Sequence, residues 1–393
     1  MPQTLVGVTL YVLCGLLILY PFTVYPAILW VLASMKQRKV SDAGNTANPE
    51  IDIVIAAFNE ETNIAQCLQQ ILTMEYEPEK VRILIANDGS TDATASILNR
   101  LGAADGRITV FHLPRGGKNA ALDHACRYLH AEITVFMDAD VVLQPFSIGT
   151  LVQPFSDTDI GGVLSVIAPN PASDAAPSAH AGESVYRIID RTVNQLESRV
   201  NSTVTSNGAL YAIRRSLYRN IGNSRSADDL AHVLAVLHAG KRVVVNPRVR
   251  VQEQRETNEQ DLNIEAARTV RTVSSGMAAI WQYRTLLQPR FGMTAFSLWS
   301  HRIVRYLSPL AYGMMIIATF LTIRNPTVFA ILLYSHLVFI GLALLSKTAG
   351  RMGITIPVIW IAEYFIVMNY SLFRGLVLFL RKRSYDKWTP GAS

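Results

Sequence analysis

The sequence predicts an α/β domain built on a mostly parallel mixed sheet and flanked by transmembrane helices, and three observations carry that prediction. Between Ile51 and Met137, short apolar runs rich in β-branched residues alternate with stretches of helical spacing, the pattern of strands joined by crossover helices. Each run ends in an acidic or glycine-rich turn, and ligands bind such sheets beyond the carboxyl ends of the strands. The chain is 50% hydrophobic over 393 residues, and the excess lies at its two ends, leaving the middle with the mixed composition of a globular domain.

Taken in order, Leu5–Leu32 is an uncharged run interrupted only by Pro21 and Pro26. It exceeds the ~20 residues needed to cross a bilayer, so residues 1–34 are expected to form a transmembrane anchor. The run is too long for the core of a signal peptide and no charged segment precedes it. Lys36, Arg38 and Lys39 follow, which by the positive-inside tendency places the N-terminus outside and the next domain in the cytoplasm. Residues 35–49 read as a linker and residues 50–260 as the globular domain. Its first strand, Ile51–Phe58, ends at Asn59-Glu60-Glu61 and precedes a helix over Thr62–Met74. Val81–Ala86 is a second strand, closing on Asn87–Asp92 ahead of a helix over Ala93–Leu101. Ile108–Leu113 is a third, followed by the turn Arg115–Leu122 and a helix to about Leu129. Thr134–Met137 is the fourth and delivers Asp138 and Asp140. Beyond it, Glu183–Val200 has the spacing of an amphipathic helix, Val204–Ile213 that of a strand or loop, Asp228–His238 that of a helix, and Val243–Val245 that of a strand.

Residues 261–302 are expected as interfacial helices, containing R-T-V-R-T at Arg268–Thr272 and scattered aromatics over Met277–Trp299. Apolar segments return at Leu307–Ile323, Thr327–Leu345 and Ile354–Leu380, making residues 303–393 a C-terminal transmembrane region. Three full spans there would leave Arg381, Lys382 and Arg383 outside, against the positive-inside tendency, unless one segment is re-entrant. Cys14, Cys67 and Cys126 have no metal-like spacing and predict neither a disulfide framework nor a zinc site, which fits a reducing compartment. The net charge of +6 suits a membrane surface or an anionic substrate, but no basic cluster marks a nucleic-acid partner.

Four turns carry candidate chemistry. Side chains two apart on an extended segment share a face, so Asp138 and Asp140 can reach one divalent cation; the plainer alternative is a strand ending in an acidic turn. Asp88 opens a tight turn through Gly89, Ser90 and Thr91, which can present its carboxylate to a ligand or simply cap the next helix. Gly116-Gly117-Lys118 offers backbone N–H groups and a cation suited to phosphate, or is only a turn. Asp228 and Asp229 complement a helix dipole, worth ~0.3 to 1 kcal/mol, or supply a general base.

Together A-A-F-N-E-E (Ala56–Glu61), N-D-G-S-T-D (Asn87–Asp92), G-G-K-N-A-A-L (Gly116–Leu122), D-A-D (Asp138–Asp140), S-N-G-A-L-Y-A-I-R-R (Ser206–Arg215) and A-D-D (Ala227–Asp229) resemble, in order, the motifs of family 2 glycosyltransferases of the GT-A fold, in particular the membrane-bound branch that builds bacterial polysaccharides. The resemblance implies that Ala56, Phe58, Glu60 and Asp88 surround the nucleotide, that Lys118 lies near its diphosphate, that Asp138 lies against the nucleotide, and that Asp140 coordinates Mg²⁺ or Mn²⁺. It further implies Asp229 as general base, with Asp228 standing where glutamate is commoner, and Ser206, Asn207 and Gly208 at the acceptor and diphosphate.

Processive members carry Q-x-x-R-W after the base. Here Arg268 replaces the glutamine, Arg271 matches the arginine, and Thr272 replaces the tryptophan on which an acceptor sugar would rest. The resemblance therefore implies an inverting hexosyl- or N-acetylhexosaminyltransferase that adds single sugars from a nucleotide-diphospho-sugar to a lipid-linked or oligosaccharide acceptor, among membrane lipids at the cytoplasmic face of a bacterial inner membrane. A processive polysaccharide synthase and a catalytically inactive scaffold are the alternatives.

Overall fold

A computed structural model describes residues 2–35, 48–168, 181–221, 225–253, 262–351 and 357–382. The apolar N-terminal run divides where its prolines fall. Helix α1 (Pro2–Leu19) passes through a 3-10 turn at Tyr20–Phe22 into the shorter α2 (Val24–Met35). Pro21 and Pro26 each occupy a first helical turn, where a missing N–H costs little but from which no helix runs back unbroken. Of this run only Pro2–Phe22 is long and apolar enough to cross a membrane. The anchor is therefore shorter than the expected residues 1–34, and α2 instead buries Tyr25, Leu29 and Ala33 against Val193 and Leu196 of the globular domain. Lys36, Arg38 and Lys39 lie outside the described residues.

The expected parallel half of the sheet is present. Strands β1 (Ile51–Ala57), β2 (Val81–Asp88), β3 (Ile108–Leu113) and β4 (Ile133–Met137) run parallel in the order β3-β2-β1-β4, linked by α3 (Ile64–Leu72), α4 (Thr94–Ala104) and α5 (Lys118–Cys126). All of β1 and β4 is buried, as strands covered on both faces must be. Alternation then splits the core: Ile53 and Ile55 pack with Ile64 and Leu68 on one face, Val54 and Ala56 with Leu122 and Ala125 on the other.

The second half makes the sheet mixed. Strands β5 (Val141–Val142), β6 (Ile160–Ile167), β7 (Leu210–Arg214) and β8 (Arg242–Glu253) complete the order β3-β2-β1-β4-β7-β6-β8-β5, with β7 antiparallel to both neighbours. The sequence pattern announces neither β5 nor β6, nor α6 (Ser147–Val152). Gly161 and Gly162 hide β6, because glycine weakens a strand signal. Here it is required: a Cβ on Gly161 would lie 2.5 Å from Leu217 Cδ1 and 2.8 Å from Val236 Cγ1. Helices α7 (Ala181–Val200) and α8 (Asp228–His238) match their expected spans closely.

α9 (Leu262–Gln282) continues past Met277, and the aromatics beyond it fall on 3-10 turns and on Met293–Tyr306, two short helices around a π-helix at Leu298–Ile303, instead of on one interfacial helix. α10 (Ser308–Leu321) is bent 58° from that segment, and α11 (Pro326–Arg351) and α12 (Pro357–Leu380) follow. Pro326–Ala349 and Ile359–Leu380 pass for spans by length and composition, and the bent pair passes only when taken together. α10 runs antiparallel along α1, since Thr322 meets Gly7 whereas Ala311 meets Cys14 and Ile18.

α12 lies along the globular domain. Tyr364 meets Tyr186 of α7 with ring centroids 6.3 Å apart, Thr269 Oγ1 of α9 donates to Met368 Sδ at 3.4 Å, Gly375 abuts Val273, and Phe379 meets Trp281. The end of α12, next to Arg381 and Lys382, thus lies beside α9. Arg383 lies outside the described residues.

Candidate active site

The strand ends that carry the motifs lie level with one another, Ala57 opposite Asn87 and Asp88 opposite Leu113. Two turns are knitted together there. Asn59 takes a left-handed φ of 55°, its N–H donates to Ser90 Oγ at 3.0 Å, and its Oδ1 accepts the Thr91 N–H at 2.8 Å. The Glu60 N–H donates to Thr94 Oγ1 at 2.8 Å, while its buried carboxylate accepts from Asn63 Nδ2 at 3.0 Å and is raised in pKa by burial.

Asp88, 1% exposed, accepts the Gly116 N–H at 2.7 Å, the Gly117 N–H at 2.9 Å, and an Arg115 guanidinium N–H. The carboxylate expected against the nucleotide therefore shapes the glycine loop. Gly117 needs its φ of 94° for that geometry. Arg115 also stacks 3.4 Å over the Phe58 ring, tying two expected nucleotide neighbours together. Motif reading passes over Arg115, and its only signal is its place at the head of R-G-G-K. The Ala56 side chain, 4% exposed, points into the core by strand alternation and not to the cleft, contrary to its expected place.

The central cluster is one ammonium among carboxylates. Lys118 Nζ lies 2.7 Å from Asp138 Oδ1 and 3.4 Å from Asp228 Oδ2. Burial disfavours its charge, but Asp138 and then Asp228 outweigh burial and hold its pKa above the ordinary lysine range. Burial pushes Asp138 up to about 7 against the pull of Lys118, and the nearby Asp140 charge adds to the rise. The two adjacent aspartates diverge. Burial opposes ionisation of Asp228, yet Lys118 and then His232 hold it below the usual carboxylate value. Asp229 is raised, by burial and then by Asp228, while accepting the Leu230 N–H at 2.7 Å and a hydrogen bond from Ser206.

Gly208 fits between them, since a Cβ there would lie 3.3 Å from Asp229 Oδ2 and 3.8 Å from Asp138 Oδ2. Asn207 holds that loop: its Nδ2 donates to Ser165 O at 3.1 Å and its Oδ1 accepts the Ala209 N–H at 3.2 Å. His232, which motif reading also misses, is 1% exposed, sits four residues along α8 from Asp228, and pairs its Nδ1 with Tyr211 Oη at 2.9 Å.

A cavity of about 870 Å³ joins Lys118, Asp138, Ser206–Gly208, Asp228 and Asp229 to Arg271 and onward to Tyr186, Arg302 and Arg305. Arg268 is not part of its wall, although its charge, after burial, lowers the Arg271 pKa. Phe58, Glu60, Asp88 and Asp140 stand on the strand-end turns outside the wall. Among the described residues no group of three or more His, Cys, Asp or Glu side chains is arranged to hold a metal ion. All three cysteines are free and buried.

A sheet parallel in one half and mixed in the other, with polar turns at its strand ends, has the GT-A architecture. Residues 52–222 match the model of Glycosyl transferase family 2. A mannosyltransferase from Pyrobaculum calidifontis, solved with GDP-Man and Mn²⁺, shares the fold with a TM-score of 0.70 at 20% identity, over 95% of this chain and 99% of that one. Beta-monoglucosyldiacylglycerol synthase of Synechocystis sp. is 29% identical over 128 residues, 32% of this chain and 26% of that protein. Poly-beta-1,6-N-acetyl-D-glucosamine synthase of Staphylococcus aureus is 26% identical over 158 residues, 37% of either chain. The match thus spans only 26% and 37% of these curated relatives' length.

Proposed function

We propose that the protein transfers one sugar, with inversion, from a nucleotide-diphospho-sugar to a hydroxyl of a lipid-linked or oligosaccharide acceptor at the cytoplasmic face of a bacterial inner membrane. The observation that carries this reading is the Lys118 ammonium held between Asp138 and Asp228 on the wall of a cavity that also holds Asp229. It sets a cation for a diphosphate beside a carboxylate free to take a proton. Asp229, the more basic, removes the proton from the attacking hydroxyl. Asp228 stays ionised and shares Lys118 with Asp138, which leaves the ammonium placed for the donor diphosphate. Arg271, on the cavity wall, pairs with the same group. Phe58, with Arg115 stacked on it, flanks the base.

Asp138 and Asp140 fit a divalent cation, Mg²⁺ or Mn²⁺. They are two residues apart, and the charge of Asp140 opposes ionisation of Asp138, as two carboxylates close enough to share one cation would. Mg²⁺ commonly takes one or two carboxylates and completes its shell with substrate phosphates and water, which agrees with the lack of a larger protein cluster among the described residues. Asp140 is the principal ligand. When bound, the cation neutralises charge on the leaving diphosphate.

Thr272 lines the cavity where a processive enzyme would offer an aromatic platform, which favours single addition. A glycolipid synthase and a polysaccharide synthase among the relatives support an acceptor held at a membrane. In the test, nucleotide sugars are first screened with Mn²⁺ by thermal shift on the detergent-solubilised chain, since a ligand stabilises in proportion to its occupancy. Transfer of radiolabel from the best donor is then measured. Asp229→Asn and Asp140→Asn are expected to abolish transfer while the chain still inserts in membrane, and full activity in either would sink the assignment.

A further inference from the structure

The far end of the cavity carries the opposite charge from the donor end. Its wall as a whole holds seven cationic side chains, Lys118 and six arginines, against the four aspartates 138, 190, 228 and 229, a surplus of three positive charges. Three of those aspartates sit with Lys118 at the strand ends. Away from that cluster the wall carries Arg187 and Arg191 of α7 and Arg302 and Arg305 of the segment around the π-helix, with Asp190 beside them among the described residues.

Two of these arginines are built in and incompletely paired. Arg305 is 6% exposed and donates through one nitrogen to Tyr186 Oη at 2.7 Å and Asp190 Oδ1 at 2.8 Å, but its Nε and other terminal nitrogen have no partner among the described residues. Arg302 donates to Tyr306 Oη at 3.2 Å, and its Nε is likewise without a partner among them. A buried guanidinium N–H left unpaired costs free energy, so the fold retains this end for an anion. The guanidinium plane matches phosphate oxygens in pairs.

This end packs against the end of the N-terminal candidate span. Arg305 lies 5.3 Å over the ring of Phe22, the last residue of the candidate span Pro2–Phe22, and 4.9 Å over Tyr186. Tyr20 Oη meets Ser300 Oγ at 2.8 Å beside it. The basic end therefore stands at the end of the candidate span Pro2–Phe22.

We propose that this end is an acceptor subsite, and that the acceptor is a membrane lipid whose head group carries a phosphate, held by Arg302 and Arg305, and a free hydroxyl that reaches Asp229. The proposal rests on the transferase reading above. The hydroxyl oxygen bonds to the anomeric carbon, the bond from that carbon to the diphosphate breaks, the diphosphate leaves with the electron pair, and the hydroxyl proton passes to Asp229.

The test uses the full chain, saturated with its donor nucleotide and Mn²⁺ so that the donor site is filled, and measures calorimetric binding of dioctanoyl phosphatidic acid, dioctanoylglycerol and glycerol phosphate. Phosphatidic acid is expected to bind at least tenfold more tightly than either of the others. Arg302→Gln should remove that preference and Arg302→Lys restore part of it, with donor binding kept as the check on folding; Arg305→Gln is the less safe variant because it strands Asp190. Equal binding of phosphatidic acid and dioctanoylglycerol, or an unchanged preference in Arg302→Gln, overturns the phosphate site. Glycerol phosphate binding as tightly as phosphatidic acid overturns the membrane source. Failure of the transferase reading shows separately, as no nucleotide-sugar binding by the wild-type chain.

Discussion

Lys118 Nζ lies 2.7 Å from Asp138 Oδ1, joining the glycine turn after β3 to the aspartate after β4. The two side chains are only 20% and 22% exposed, so removing one charge strands the other. Losing one partner of a buried pair costs ~3 kcal/mol or more. Lys118→Met is expected to lower the melting temperature and weaken donor binding at least tenfold. Adding Asp138→Asn should recover stability but not donor affinity. A double variant no more stable than the single one would show that the pairing is not what holds these turns together.

His232 makes stability depend on pH. Burial pushes its pKa down to about 4 from the 6.5 of a free imidazole. The folded protein keeps it neutral while the unfolded chain takes up a proton as the pH falls below that value, so its contribution is whole above pH 6.5 and is lost toward pH 4. The loss is ~1.4 kcal/mol per pH unit, roughly 3 kcal/mol in all. The wild-type melting temperature should fall across this window, and His232→Phe, which keeps a ring against Phe136 and Tyr218, should flatten the fall. An equally steep fall in the variant would remove His232 as the cause.

Gly208 separates the two carboxylates on which the chemistry rests. A Cβ placed 3.3 Å from Asp229 Oδ2 forces the base aside by tenths of an ångström without straining the backbone. Misplacements of about 1 Å at a reacting group cost ~100-fold in rate, so Gly208→Ala is expected to slow turnover roughly tenfold and leave donor affinity within about twofold. Steady-state transfer with calorimetry separates the two effects. Weakened donor binding at unchanged turnover would move Gly208 from the base to the donor.

The parts of the fold legible in the sequence are those where one physical requirement dominates. β1 and β4 are buried along their whole length and read as apolar runs, and α8 begins at the aspartate pair that suits its N-terminus. β6 was hidden because close packing of Leu217 and Val236 demands glycine where strand propensity would place a branched residue. Arg115 and His232 carry their meaning in contacts across the fold, with Phe58 and with Tyr211, which no local spacing encodes. The basic end of the cavity was equally unreadable, since Arg187, Arg302 and Arg305 come together only when α7 meets the segment after α9.

Hydropathy cannot tell a helix that crosses a membrane from one that lies along a domain, and α12, a candidate span that meets α9 and α7 as well as α10 and α11, poses that question. Its apolar window has a mean hydropathy of 1.3 against 2.4 for α11. Its Gly375 meets α9 so closely that a Cβ would lie 2.7 Å from Val273 Cβ and 2.9 Å from the Val270 carbonyl oxygen. Contacts from Tyr364 to Phe379 hold the helix to α7 and α9, so Arg381 should share a membrane side with Arg100, which is exposed on α4. Single cysteines at the two positions should therefore react with a membrane-impermeant maleimide in the same vesicle orientation, the native cysteines being buried. Gly375→Leu should separate α12 from α9 at a cost of ~1–3 kcal/mol and, by shifting the helix that carries Arg271, slow transfer several-fold. Labelling of Arg381→Cys and Arg100→Cys from opposite sides would instead make α12 a true span and return the C-terminus across the membrane.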